Sequence, residues 1–191
     1  MQQILFGKGQ WNGDELLTCY TFRYQEAPAF AQREDHIGNA VNPEHKEGFD
    51  NISLVTKERY TAGVKASLRC AFEGLGCPEI ILVPELETCP DGVARYGACF
   101  EIVLYKNGVN IWRHYMDEEH HCSWHKRLGV QIPVAENEQH TLCVEVKENG
   151  LEFSVDGWKT FLRVDDVPEH FHIGMTMCEG LVRLYEWNVG E

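Results

Sequence analysis

The sequence predicts an all-β protein, a two-sheet sandwich or a barrel, on three observations: apolar residues alternate with polar ones, turn dipeptides separate these runs, and helical stretches are few. The longest alternation runs from Val64 to Phe72. Val64, Ala66, Leu68, Cys70 and Phe72 share one face, while Lys65, Ser67, Arg69 and Ala71 share the other. Side chains two apart on a strand point the same way, so such a run buries one face and wets the other. A helical stripe through Val64, Leu68, Ala71 and Phe72 competes for this segment, but the period of two recurs elsewhere.

In chain order, strands are expected near Ile4 to Gly7, Leu16 to Tyr24, Ile52 to Thr56, Val64 to Phe72 and Glu79 to Val83. Ala27 to Gly48 is polar and turn-rich, and reads as a long loop folded over the sheet, a feature that is often functional. Further alternation follows at Leu128 to Val134, Leu142 to Val146 and Leu151 to Val155, with more strands near Phe171 to Met177 and Leu181 to Val189. With the hairpin that follows Tyr96 the count is about a dozen. Asn107-Gly108, Asn149-Gly150 and Asp156-Gly157 each favour a two-residue type I′ turn, whose central residues both need positive φ. No repeat, low-complexity tract or linker interrupts the chain, so one domain over 1–191 is expected.

The chain has 191 residues, with 17 Lys and Arg against 30 Asp and Glu, a formal charge of −13. Nucleic-acid binding is not expected, because phosphate contacts ask for clustered positive charge and no run of Lys or Arg occurs. No membrane partner is expected either: apolar runs are short, such as Ile80 to Val83, against about 20 residues for a spanning helix. Met1 to Phe6 has neither the basic nor the apolar part of a secretory signal, which predicts a cytoplasmic location. Eight cysteines without a C-x-x-C pair, in a chain large enough to build a core, read mostly as buried thiols.

Three stretches carry a resemblance: YGACFEIVLYKNGVNIW from Tyr96 to Trp112, HTLCVEVKENGLEFSVDG from His140 to Gly157, and the closing LVRLYEWNV from Leu181 to Val189. A strand and tight turn, then a hairpin whose first return ends in Asp-Gly, then a closing strand: this order resembles the concanavalin A-like lectin/glucanase superfamily. The resemblance covers Tyr60 to the carboxyl end. It implies a two-sheet antiparallel jelly-roll β-sandwich with carbohydrate bound on the concave sheet, and in several members glycoside hydrolysis. The sequence departs from that group's best-known catalytic strand, E-x-D-x-E or E-x-D-x-x-E, since Glu101 is followed by Val103 and Leu104. That departure speaks against a retaining laminarinase-type enzyme, and fold analogy alone assigns no function.

A two-residue turn at Asn107-Gly108 would pair Lys106 with Val109 and thereby place Tyr105 opposite Asn110, Val103 opposite Trp112, Glu101 opposite His114 and Phe100 opposite Tyr115. Phe100, Ile102, Leu104, Ile111 and Tyr115 should then be core, with Arg113 as the anomaly. The other face carries Glu101, Tyr105, Asn110, Trp112 and His114. Polar groups around a flat aromatic suit a sugar, which stacks its apolar face on a ring and needs partners for its hydroxyls; the solvated side of a sheet would look the same. Glu101 and His114 are the candidate catalytic pair, a carboxylate beside an imidazole. Glycoside hydrolysis usually takes two carboxylates about 5–10 Å apart, with Glu79, Asp35 and Glu179 as candidate partners. In the amino-terminal part, Arg23, Gln32 and His36 are candidate ligand-binding residues, if the long loop crosses the sheet.

The Glu118, Glu119, His120, His121, Cys122 and His125 cluster matches no zinc spacing and reads as an exposed loop, so no metal ligands are assigned. No cofactor is predicted, although acidic loops such as Asp165-Asp166 or Asp117 to Glu119 leave calcium open. Phosphate-binding glycine motifs and the G-x-S-x-G elbow are absent. Three readings remain: a protein binding a saccharide or glycoside on the concave sheet, a glycoside-processing enzyme, and a homo-oligomer or interaction module whose aromatic face is a protein interface. A pocket with two convergent carboxylates would favour catalysis.

Overall fold

The computed structural model describes residues 1–27, 29–39 and 50–191. The parts of the expected long loop at residues 28 and 40–48 lie outside them. Among the described residues there are 18 strands, numbered in chain order. The first nine are β1 (Gln2–Leu5), β2 (Leu16–Thr21), β3 (Gln25–Glu26), β4 (Ala31–Gln32), β5 (Ile37–Gly38), β6 (Asp50–Thr56), β7 (Lys65–Glu73), β8 (Cys77–Val83) and β9 (Glu87–Thr88). The rest are β10 (Ala94–Tyr96), β11 (Cys99–Tyr105), β12 (Gly108–Met116), β13 (Cys122–Gln131), β14 (His140–Lys147), β15 (Gly150–Val155), β16 (Trp158–Arg163), β17 (His172–Cys178) and β18 (Leu181–Gly190). No helix among them is long and apolar enough to cross a membrane.

The strands form two sheets of a jelly-roll sandwich. One runs β16-β15-β14-β7-β18-β5-β4 with β1 also on β18, and the other β13-β12-β11-β8-β17-β6-β2-β10-β9 with β3 on β6. The core lies between them. Leu68, Phe72, Leu142, Phe153, Leu184 and Trp187 come from the first sheet; Ile80, Leu82, Phe100, Ile102, Ile111 and Met175 come from the second. Burying apolar surface is the main stabilising term, roughly 25 cal/mol per Å², and alternation delivers every second residue of each strand to it. Val64 to Phe72 accordingly lies in and beside β7, with its even-numbered side chains in the core.

Two of the three predicted turns are corrected. At Asp156-Gly157 both residues have positive φ, 48° and 89°, and Val155 pairs with Trp158 as expected. At the first hairpin, however, Tyr105 pairs with Gly108, so the loop is Lys106-Asn107 and Gly108 opens the return strand. Its φ is 139°, and a Cβ there would lie 1.8 Å from the Val130 carbonyl oxygen. Glycine is needed for the approach of β13, not for the turn itself. Gly150 repeats this, pairing with Lys147 and facing the Leu162 carbonyl. The register of β11 on β12 therefore moves by two residues: Glu101 opposes Trp112 and Cys99 opposes His114. An even shift leaves every side chain on its predicted face.

Three further expectations are corrected. Tyr115 is not core but 37% exposed, because its hydroxyl and the Arg113 guanidinium both turn to Asp166, each at 3.2 Å. The segment after Tyr115 is loop only between Met116 and Cys122, and residues from Cys122 onward form edge strand β13, whose outer row of charged side chains hides the alternation. Within Ala27 to Gly48, β4 and β5 pair with each other and dock on β18, so this part of the segment extends the opposite sheet instead of crossing the one that carries β11 and β12. The eight cysteines are free thiols, with Cys19, Cys70, Cys99 and Cys178 buried and the others half-buried.

Candidate functional site

The outer face of the second sheet, turned away from the core, holds a cleft of about 580 Å³. Its floor is built by period two from four neighbouring strands: Glu79 from β8, Glu101, Val103 and Tyr105 from β11, Asn110, Trp112 and His114 from β12, and Cys178 from β17. Arg23 and Tyr24, just after β2, and Glu179, in the turn before β18, complete the walls. Trp124 arrives from β13 through a β-bulge. Ile111 pairs with Leu128 but Trp112 with Lys126, so Arg127 is the extra residue, and beyond it the even-numbered side chains change face.

At the centre lies a hydrogen-bonded chain. His114 Nε2 is 2.8 Å from Glu101 Oε2, and Arg23 Nη1 is 3.4 Å from His114 Nδ1. Arginine only donates, so Nδ1 accepts and Nε2 carries the proton given to Glu101. The Cys99 thiol donates to the other Glu101 oxygen at 3.9 Å. The Arg23 guanidinium carbon lies over the Trp124 ring, 3.1 Å from its centroid, and over the Tyr24 ring at 4.7 Å. The ligating atoms of Cys99, Glu101 and His114 lie within 4.8 Å of one another, a donor set that suits zinc. A metal ligand would turn its second ring nitrogen to an acceptor, whereas His114 turns it to a guanidinium, so the arrangement fits the hydrogen-bonded chain better.

Glu79 is the other notable group. It is 3% exposed, and its Oε2 has no hydrogen-bond partner among the described residues. Burial first, then the carboxylates of Glu101 and Glu179, hold its pKa well above the usual range, against the opposing pull of Arg23. It lies at the floor of the cleft. Burial also raises Glu179, whose φ is 61°, and pushes up Tyr24 and Cys99, the latter two helped by Glu101. Asn110 Oδ1 is a second buried acceptor without a donor among the described residues.

Of the residues singled out from sequence, Glu101, His114, Tyr105, Asn110, Trp112 and Arg23 meet in this cleft. Gln32 and His36 are not brought to it. The Gln32 amide donates to the Phe6, Gly7 and Trp11 carbonyls, and His36 bonds to Asp35 and packs on Tyr185. Among the candidate carboxylates Glu79 and Glu179 line the cleft, whereas Asp35 pairs with His36 away from it. Of the acidic loops considered for calcium, Asp117 accepts backbone N–H groups of Glu119 and His121, and Asp166 binds Arg113 and Arg127. Sequence reading missed Trp124 because a bulge cannot be seen in a periodic pattern; Glu79 carried a signal, as the lone charge in an otherwise apolar strand.

No protein-family model and no curated protein matches the chain. Solved structures do. A β-glucanase of Bacillus licheniformis matches at 11% identity and a TM-score of 0.63, over 100% of this chain and 97% of that one. The carbohydrate-binding module CBM66 of Bacillus subtilis matches at 8% identity and a TM-score of 0.59, over 85% and 91%. The exoplasmic/lumenal domain of VIP36, in a Ca²⁺/Man3GlcNAc-bound form, matches at 10% identity and a TM-score of 0.60, over 98% and 87%. At these identities the likeness is one of fold, and it agrees with the strand order and sheet pairing: the chain has the all-β jelly-roll sandwich of the concanavalin A-like type.

Proposed function

We propose that the protein binds a saccharide in the cleft on its second sheet, with Trp112 as the stacking platform and Tyr105, Asn110, Glu101 and His114 around it. The observation that carries this reading is the convergence of these side chains on one face of a cleft of about 580 Å³, within the size range of small-ligand sites. The likeness to a carbohydrate-binding module and a β-glucanase supports a glycan-related role. Isothermal titration of oligosaccharides against the protein and Trp112→Ala tests it. Loss of the stacking surface should weaken binding about tenfold, and unchanged affinity for every sugar bound by the parent would sink the platform.

A second reading, glycoside processing, is favoured by one observation: Glu79, whose pKa burial raises, sits one strand from the Glu101–His114 pair. Here Glu79 gives a proton to the departing oxygen while Glu101, oriented by His114 and Arg23, acts on a water. Release of reducing ends from oligosaccharides, abolished in Glu79→Gln and Glu101→Gln, is the expected result. Binding without turnover leaves the first reading alone in place.

A further inference from the structure

The cleft is unbalanced in charge. Glu79, Glu101 and Glu179 bring three carboxyl groups to it. Arg23 and Lys126 are the cations set against them: the Arg23 guanidinium is already committed to the Trp124 ring and to His114, and the Lys126 ammonium lies 5.7 Å from the centroid of the Trp112 ring. Lys106, at the rim, pairs with Glu136. Two acceptors, Glu79 Oε2 and Asn110 Oδ1, lack donors among the described residues. Both are buried, and a buried polar atom left unpaired is costly, a cost that a ligand bearing donors removes. They stand in one cross-strand row on either side of Val103, since Val103 pairs with Glu79 on one side and Asn110 on the other. Two strand spacings, about 9–10 Å, separate their backbones, with the Val103 side chain on the same face between them.

We propose that the cleft selects glycans carrying a free amino group, with the ammonium of a hexosamine unit received by Glu79 and a ring hydroxyl donated to Asn110. This rests on the saccharide reading and names the chemistry of its ligand. Carboxylates beside aromatic faces form the surroundings a partly desolvated ammonium prefers, because the ring faces of Trp112 and Tyr105 are also negative. An acetylated amine loses the charge, and a uronate or sulfated sugar would meet three carboxyl groups. A Glu79 that faces an ammonium is ionised and has no proton for a leaving group, so this role and proton donation exclude one another.

The test is titration near neutral pH with four probes of matched length: deacetylated chitosan oligosaccharides, their N-acetylated counterparts, cello-oligosaccharides and oligogalacturonates. The amine series should bind at least about tenfold more tightly than the neutral ones, the worth of a charge-assisted hydrogen bond. Glu79→Gln should erase that advantage while still binding neutral sugars. Where the glutamine variant does not fold, Glu79→Met, an apolar replacement of similar length, serves instead. Equal or tighter binding of the neutral or acidic series, or an amine preference that survives both substitutions, overturns the proposal and leaves saccharide binding standing. Failure of all four series to bind overturns both.

Discussion

Glu79 and the Glu101–His114 pair lie on neighbouring strands, yet their surroundings treat them differently. Glu101 accepts hydrogen bonds from His114 and Cys99, whereas Glu79 Oε2 meets no donor among the described residues and is enclosed by burial and by Glu101 and Glu179. The fold therefore holds the Glu79 proton more tightly than the unfolded chain does. A carboxyl whose pKa is raised on folding gives its stabilising share in full below the unfolded value, near 4.5, and loses it as pH rises through the folded value. Glu79→Gln removes that dependence. Melting curves across mildly acidic to alkaline pH should show the variant gaining on the parent as pH rises, each kcal/mol appearing as about 2–4 °C. A constant gap would mean that Glu79 is not enclosed in the way described.

At the scale of the element, the β11–β12–β13 meander decides which side chains meet. Gly108, at φ 139°, lets Val130 approach where a Cβ would stand 1.8 Å from the carbonyl oxygen, whereas Gly157, at φ 89°, has open space around it. Gly157→Ala should cost only the left-handed strain of about 1–2 kcal/mol. Gly108→Ala adds overpacking against a backbone that cannot step aside, for a total of about 3 kcal/mol or more. Urea unfolding of the two variants checks the order. Similar losses would show that β13 yields at its edge. The faces of β11 and β12 were legible because alternating runs such as Phe100, Ile102 and Leu104 survive a slip of two residues unchanged. Trp124 was not legible. Trp124, Lys126 and Leu128 are all even-numbered, yet the extra residue Arg127 puts the first two on the cleft face and Leu128 against the core.

The whole molecule carries 30 acidic against 17 basic side chains, and many of the ion pairs that relieve this are exposed, as between Lys8 and Glu34 or Arg59 and Glu85. Exposed pairs contribute little, while the surplus of negative charge repels itself throughout the fold. Added salt should therefore raise the melting temperature by a few degrees, about 2–4 °C per kcal/mol of repulsion screened, with most of the gain below 0.15 M, where the Debye length is still falling towards about 8 Å. Calorimetry in sodium chloride is the check. A fall in melting temperature would mean that the ion pairs outweigh the repulsion.

The sequence by itself determined the all-β class, the strands of the core and the face that carries Glu101, Tyr105, Asn110, Trp112 and His114, because period two is a local property and hydrophobic burial acts on it residue by residue. The tertiary structure alone decided which strands became neighbours. It brought Glu79 beside Glu101, carried Arg23 onto His114 and Trp124, and sent Gln32 and His36 to the opposite sheet. Those outcomes depend on pairings between residues far apart in the chain and on a bulge and two glycine approaches. Their energies come from contacts that no single strand contains.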